Sequence, residues 1–201
     1  MILDQLAIKY GTDKSSLHHN YCRVYEFYFQ FYKDKAIQLL EIGTGGYKFA
    51  NKGGESLRMW CEYFPYGKII SVDLYDKSEI FIPDNGKFFQ GSQTDEVFLK
   101  SISVQRHDII IDDGSHINPL TIDTFNIAFP LLKSGGIYVI EDCHTSYWSA
   151  VATDGTDFKG GTHEGTVMNY FKRICDEINL NDDLQIRSIH FYKQMIFIFK
   201  K

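Results

Sequence analysis

Three consecutive isoleucines in Asp108-Ile-Ile-Ile-Asp112-Asp113-Gly114-Ser115-His116 stop abruptly in two carboxylates, a glycine, a serine and a histidine. An apolar run this short, bounded by polar residues, reads as a strand buried on both faces. Such strands belong to parallel sheets covered by helices. The polar cluster then lies at the carboxyl end of the strand, where open α/β sheets bind ligands.

Four more short apolar runs repeat the pattern. Ala36–Ile42 runs into Gly43-Thr44-Gly45-Gly46, and Lys68–Val72 ends at Asp73. Phe88-Phe89 ends near Gln90–Gln93, and Ile137–Ile140 ends in Glu141-Asp142. The spacing between runs predicts helices over Glu55–Phe64, Asp95–Ser101 and Thr121–Leu132. Lys133–Gly136 reads as a turn, and Pro130 is tolerated only if the last helical turn loosens. Two helices precede the first strand, over Ile2–Tyr10 (closed by Gly11) and Tyr21–Tyr32. The second carries Tyr21, Tyr25, Tyr28 and Phe31 as a core-facing stripe. Thr166 caps a helix with Val167, Tyr170, Phe171, Ile174 and Ile178 on one face. Leu184–His190 and Met195–Phe199 close the chain as an antiparallel hairpin turning near Tyr192-Lys193.

Five alternations and a hairpin predict an α/β fold: a doubly wound, mostly parallel seven-stranded sheet with helices on both faces and a C-terminal antiparallel hairpin. The 201 residues read as one domain, residues 1–201. Residues 1–35 form an amino-terminal helical segment expected to cover the cofactor site. Residues 143–165 carry no periodicity and form a candidate lid.

Composition narrows the partners. A net charge of −5 argues against nucleic acid, which needs a basic face. No apolar stretch approaches the roughly 18 residues of a membrane span. The start, Met1-Ile-Leu-Asp4, lacks the basic residues of a signal peptide. Cys22, Cys61, Cys143 and Cys175 form no Cys-x-x-Cys pair and read as reduced thiols. A cytoplasmic protein is the expectation.

Glycines after the first strand point to a nucleotide-like cofactor. The dinucleotide pattern Gly-x-Gly-x-x-Gly fails, because Lys48 stands in its last position. Asp73 can accept both hydroxyls of a ribose, and Gln93 can read an adenine edge. Glu41-Ile-Gly43-Thr-Gly45-Gly46 resembles the first motif of class I S-adenosylmethionine-dependent methyltransferases. Longer stretches are more specific: Tyr10–Lys14, Gly53–Trp60, Asp108–His116 and Ile140–Asp142 through Thr145–Trp148, in this order. Together they resemble the macrocin and mycinamicin sugar O-methyltransferase family, from about Leu6 to Trp148. The resemblance implies a Rossmann-like methyltransferase with S-adenosylmethionine as cofactor, acting on a small-molecule or sugar-containing acceptor, with a homo-oligomer, a dimer by preference, expected. It brings Ser56 close to the methionine end of that cofactor and Glu41, Gly43 and Gly45 into its loop. The family often has an acid where Ser92 stands.

Methylating a sugar hydroxyl requires removal of its proton, which a divalent cation assists by stabilising the developing charge. Mg²⁺ takes oxygen ligands and keeps waters. Strands four and five are neighbours in the expected sheet, and their ends offer Asp113, Glu141 and Asp142. The resemblance assigns these three to the metal and His116 as general base, with Asp113 also catalytic. His144 competes as base and otherwise contacts substrate. Asp112 is expected at the cofactor. Tyr147 and Trp148 suit the apolar face of a pyranose. Without the family, Asp113-Gly114 is equally a turn pair and Glu141-Asp142 two solvated acids. Two other functions stay open: a hydroxylase of the cephalosporin type, and a non-catalytic module binding the cofactor or a glycan.

Overall fold

The computed structural model describes residues 2–152, 155–161 and 164–201. Two compact units divide it, residues 2–92 and 93–201.

In the first unit, α1 (Ile2–Tyr10) buries Leu3 and Ala7, one helical turn apart. Gly11 ends it with φ +76°, its N–H donating to Ala7 O at 2.9 Å. α2 (Cys22–Phe29) continues as a 3₁₀ turn, Gln30–Tyr32. The aromatic stripe differs from the expectation. Tyr21, Tyr25 and Phe29 are buried, Tyr28 is half-buried, and Phe31 is exposed. Four-residue steps carry the buried face to Phe29, and the tighter 3₁₀ turn swings Phe31 outward. Three parallel strands follow, β1 (Gln38–Ile42), β2 (Lys68–Asp73) and β3 (Gly86–Gln90), in the order β3-β2-β1. α3 (Glu55–Tyr63) enters after Gly54 and sets Trp60 edge-on against Tyr25, 5.1 Å between centroids.

The second unit begins with α4 (Glu96–Ile102), capped by Asp95, whose side chain accepts from Phe98 N at 2.9 Å. β4 (His107–Asp112) carries the three isoleucines, all fully buried. α5 (Asn118–Ala128) starts three residues earlier than expected, with Pro119 in its first turn. It loosens into a 3₁₀ turn, Phe129–Leu131, at Pro130. The Lys200 ammonium donates to the carbonyls of Phe129, Pro130 and Leu132, at 3.1, 3.3 and 2.9 Å. β5 (Leu132–Ile140) corrects the expected turn at Lys133–Gly136. Those residues enter the strand, and Gly135 takes φ +76° where β4 and β5 shift register between His107 and Ile109. A 3₁₀ turn, Cys143–Tyr147, follows β5. α6 (Val167–Leu180) is capped by Thr166 and buries Val167 and Phe171. β6 (Ile186–Tyr192) and β7 (Met195–Lys200) form the hairpin, which turns one residue later than expected, with Gln194 at φ +67°. The order is β4-β5-β7-β6, β7 antiparallel to both neighbours.

The seven strands, mostly parallel with an antiparallel closing hairpin, match the expected fold class. No helix among the described residues is long and apolar enough to cross a membrane. Residues 153–154 and 162–163 of the expected lid lie outside the described residues.

Candidate active site

The first unit gathers the residues expected at a cofactor. Asp73 ends β2 and accepts two backbone N–H groups, from Thr44 at 3.0 Å and Tyr75 at 2.9 Å. Each oxygen holds one donor, so lone pairs remain for two further hydroxyls. Glu41 is fully buried; Oε1 accepts from the Trp60 indole at 2.9 Å and Oε2 faces Ser71 at 3.5 Å. Ser71 reaches the Thr44 hydroxyl at 2.8 Å. A polar chain therefore runs from Glu41 through Ser71 and Thr44 to Asp73.

The glycine loop is folded against a second glycine pair. Gly54 N donates to Thr44 O at 2.7 Å. A β-carbon on Gly53, where φ is +103°, would stand 2.4 Å from Gly45 O. Gly43 and Gly45 also lie in the positive-φ region. Ser56 is buried in the first turn of α3. Lys77 is fully buried and donates to the carbonyls of Tyr47 and Phe49, fixing the outer limb of the loop. Sequence reasoning missed Lys77 and the partners of Glu41, because nothing local marks a buried lysine or an acid's distant donor.

The second unit gathers the acid–imidazole residues. Asp113, His116 and Asp142 each offer a ligand atom, and these atoms lie within 4.8 Å of one another. His116 Nε2 is 3.7 Å from Asp113 Oδ1 and 3.6 Å from Asp142 Oδ2. His144 Nδ1 is 3.8 Å from Asp142 Oδ1, so Asp142 stands between two imidazoles. All four side chains are partly exposed, between 16% and 25%. His116 and Asp142 hold φ of 55° and 52°, left-handed conformations that non-glycine residues rarely adopt. The Thr145 hydroxyl donates between their carbonyls, at 3.0 Å to His116 O and 3.2 Å to Asp142 O.

The other expected residues are placed differently. Glu141 is buried and stands outside the three-residue cluster; its N–H donates to Asp112 O at 3.0 Å. Asp112 is buried, facing the Tyr138 hydroxyl at 3.3 Å and Gly114 N at 3.4 Å. Burial pushes its carboxyl up to about 7 and the Tyr138 phenol well above its ordinary range. Both ends of the Gln93 amide are engaged: Oε1 accepts from Ser115 N at 2.9 Å and Nε2 donates to Thr124 Oγ1 at 2.8 Å. Gln93 thus braces the turn that carries Asp113 and His116. Tyr147 and Trp148 are exposed, and Trp148 packs edge-on against His144.

Comparison with known proteins finds similar sequences and folds. The chain is 34% identical to the 8-demethyl-8-alpha-L-rhamnosyl tetracenomycin-C 2'-O-methyltransferase of Streptomyces olivaceus, over 98% of this chain and 54% of the relative. It is 35% identical to the mycinamicin VI 2''-O-methyltransferase of Micromonospora griseorubida, over 98% and 52%. No family model matches. The MycE methyltransferase of the mycinamycin biosynthetic pathway, solved in complex with Mg, SAH and mycinamycin VI, superposes on the whole chain with a TM-score of 0.89 at 37% identity.

The chain is a relative of the sugar O-methyltransferases. It spans about half the length of the curated relatives it matches. An O-methyltransferase from Bacillus cereus, in complex with SAH, shares the fold at 15% identity and a TM-score of 0.56. The sheet and helices are those of a Rossmann-like methyltransferase. Like its sugar O-methyltransferase relatives, the chain carries methyltransferase architecture along its whole described length.

Proposed function

We propose that this chain is a Mg²⁺-dependent O-methyltransferase that moves a methyl group from S-adenosylmethionine to a sugar hydroxyl. The sugar belongs to a glycosylated natural product, a nucleotide-sugar or a surface glycan. The observation that carries the reading is the convergence of Asp113, His116 and Asp142, in a relative of sugar O-methyltransferases. Relatives act on rhamnosyl tetracenomycin-C and mycinamicin VI, which favours a glycosylated natural product here.

Partly exposed carboxylates beside an imidazole fit a hard divalent cation with open positions. Mg²⁺ held there would stabilise the negative charge that grows on the acceptor oxygen. Asp113 and Asp142 hold the cation. Glu141 remains the third carboxylate of the proposed set on the resemblance rather than on the geometry. His116 accepts the hydroxyl proton at Nε2, as the oxygen attacks the methyl carbon in line with the departing sulfur. His144 is the competing base. In the first unit, Asp73 accepts the ribose hydroxyls, and the Gly43–Gly45 backbone and Ser56 bind the methionine end. Asp112 and Gln93 hold the Gly114 turn in place. Tyr147 and Trp148 receive the apolar face of the sugar. A cytoplasmic setting suits the cofactor supply and cysteines that stay reduced as thiols.

The test is mass spectrometry of acceptors incubated with S-adenosylmethionine and Mg²⁺. The panel holds mycinamicin VI, rhamnosylated tetracenomycins and nucleotide-sugars. The expected result is a singly methylated product that chelation abolishes. Product formed equally well in excess chelator removes the metal from the mechanism. Oxygen consumption without methyl transfer replaces the reading with a hydroxylase.

A further inference from the structure

Asn118 opens α5, is fully buried, and makes four hydrogen bonds to the chain around it. Its backbone N–H and side-chain N–H both donate to Phe158 O, at 3.0 and 2.8 Å. Its Oδ1 accepts from Ser146 Oγ and from Val167 N, each at 2.8 Å. Ser146 Oγ accepts in turn from Met168 N at 3.2 Å. One asparagine therefore ties together the start of α5, the Cys143–Tyr147 turn, the start of α6 and the chain at Phe158.

Residues 155–161 cross that turn at close contact. Gly161 N donates to Ser146 O at 2.9 Å. A β-carbon on Gly160 would stand 2.0 Å from Thr145 O and 2.5 Å from Trp148 O. Held there, Phe158 packs edge-on against Trp148 at 5.2 Å, and Trp148 against His144 at 4.8 Å. Trp148 keeps 43% of its surface exposed.

We infer that Asn118 is the positioning residue for Trp148: its paired donation to Phe158 O straps residues 155–161 across the Cys143–Tyr147 turn and so sets the indole. That the indole receives acceptor rests on the proposed function; the strap does not.

Asn118→Asp keeps size and both acceptor contacts of Oδ1, but turns an oxygen toward the Phe158 carbonyl. Gly160→Ala lifts the strap without touching Asn118. Both are made in the full chain. Lys159 is exposed, so trypsin cleavage after it reads strap opening. The chain has two tryptophans and Trp60 is fully buried, so iodide quenching reads Trp148. In Asn118→Asp, cleavage after Lys159 rises about tenfold, the opening expected from one lost buried hydrogen bond, and in Gly160→Ala, where the β-carbon meets two backbone oxygens, it rises at least as much. Iodide quenching of Trp148 rises with it, while cleavage elsewhere stays at the wild-type rate. Wild-type quenching of Trp148 in both variants overturns the inference, as does cleavage that rises uniformly along the chain. Neither readout needs substrate. A strap that opens as stated beside a failed acceptor screen therefore leaves the inference standing and discards the function.

Discussion

His116 and Asp142 hold left-handed backbone conformations while their side chains meet over Asp113. Such conformations cost on the order of 1–3 kcal/mol each and persist where the surroundings over-determine them. Here Thr145 bonds both carbonyls and Gln93 holds the intervening turn. If His116 takes the proton, His116→Ala lowers the methyl-transfer rate by about 10²- to 10⁴-fold. Affinity for S-adenosylhomocysteine, measured by calorimetry, stays at the wild-type value. A rate near wild type moves the base to His144. The acids and imidazoles of this cluster were legible because each follows an apolar run directly. Asn118, Gln93 and Lys77 escaped as braces because their partners lie 22 to 49 positions away, several of them backbone carbonyls. Glu41 illustrates the same limit: its motif position was visible, while its bond to Trp60 was not.

At the scale of elements, glycines and prolines decided where the reading succeeded. Pro130 loosened α5 where expected, but the Lys200 ammonium that gathers the carbonyls at the helix end lies about 70 positions further along the chain. Lys200→Met removes a shared donor from those carbonyls, of which Phe129 O keeps the Leu132 N–H, and is expected to cost about 2 kcal/mol. Chemical denaturation reads this as a lower midpoint with an unchanged slope. Gly135-Gly136 read as a turn because glycine pairs usually punctuate; here they admit a register shift inside β5 instead. Gly53-Gly54 read only as part of a motif, yet Gly53 is where the cofactor loop folds on itself. Gly53→Ala meets the Gly45 carbonyl in a positive-φ conformation. It is expected to cost about 2 kcal/mol or more and to weaken S-adenosylhomocysteine binding. Wild-type binding in a destabilised variant would separate the loop's fold from the cofactor.

Across the whole molecule, the alternation of apolar runs and helical periods carried the fold class, because each strand buried on both faces must be an unbroken apolar run. Buried titratable groups shape its response to pH, and His107 is one of them. His107 begins β4, nearly inaccessible, with Nε2 bonded to the Ser103 hydroxyl at 2.9 Å. Burial lowers its pKa from 6.5 to about 4, opposed by Asp108 and assisted by Lys133. The folded state thus favours the neutral ring. That stability is fully present above pH 6.5 and is lost as pH falls toward 4, by up to about 3 kcal/mol. The raised Asp112 carboxyl works in the opposite direction over the same range, so from pH 7 to pH 4.5 the unfolding free energy in urea should fall less, or rise more, in His107→Gln than in wild type. The central claim is that Asp113 and Asp142, beside His116, hold the divalent cation of a methyl transfer. Mn²⁺ binding followed by electron paramagnetic resonance tests it most directly. The account predicts one bound ion in the wild-type chain and none at the same concentration in the folded Asp113→Asn, Asp142→Asn double variant. Equal binding by that variant would contradict it.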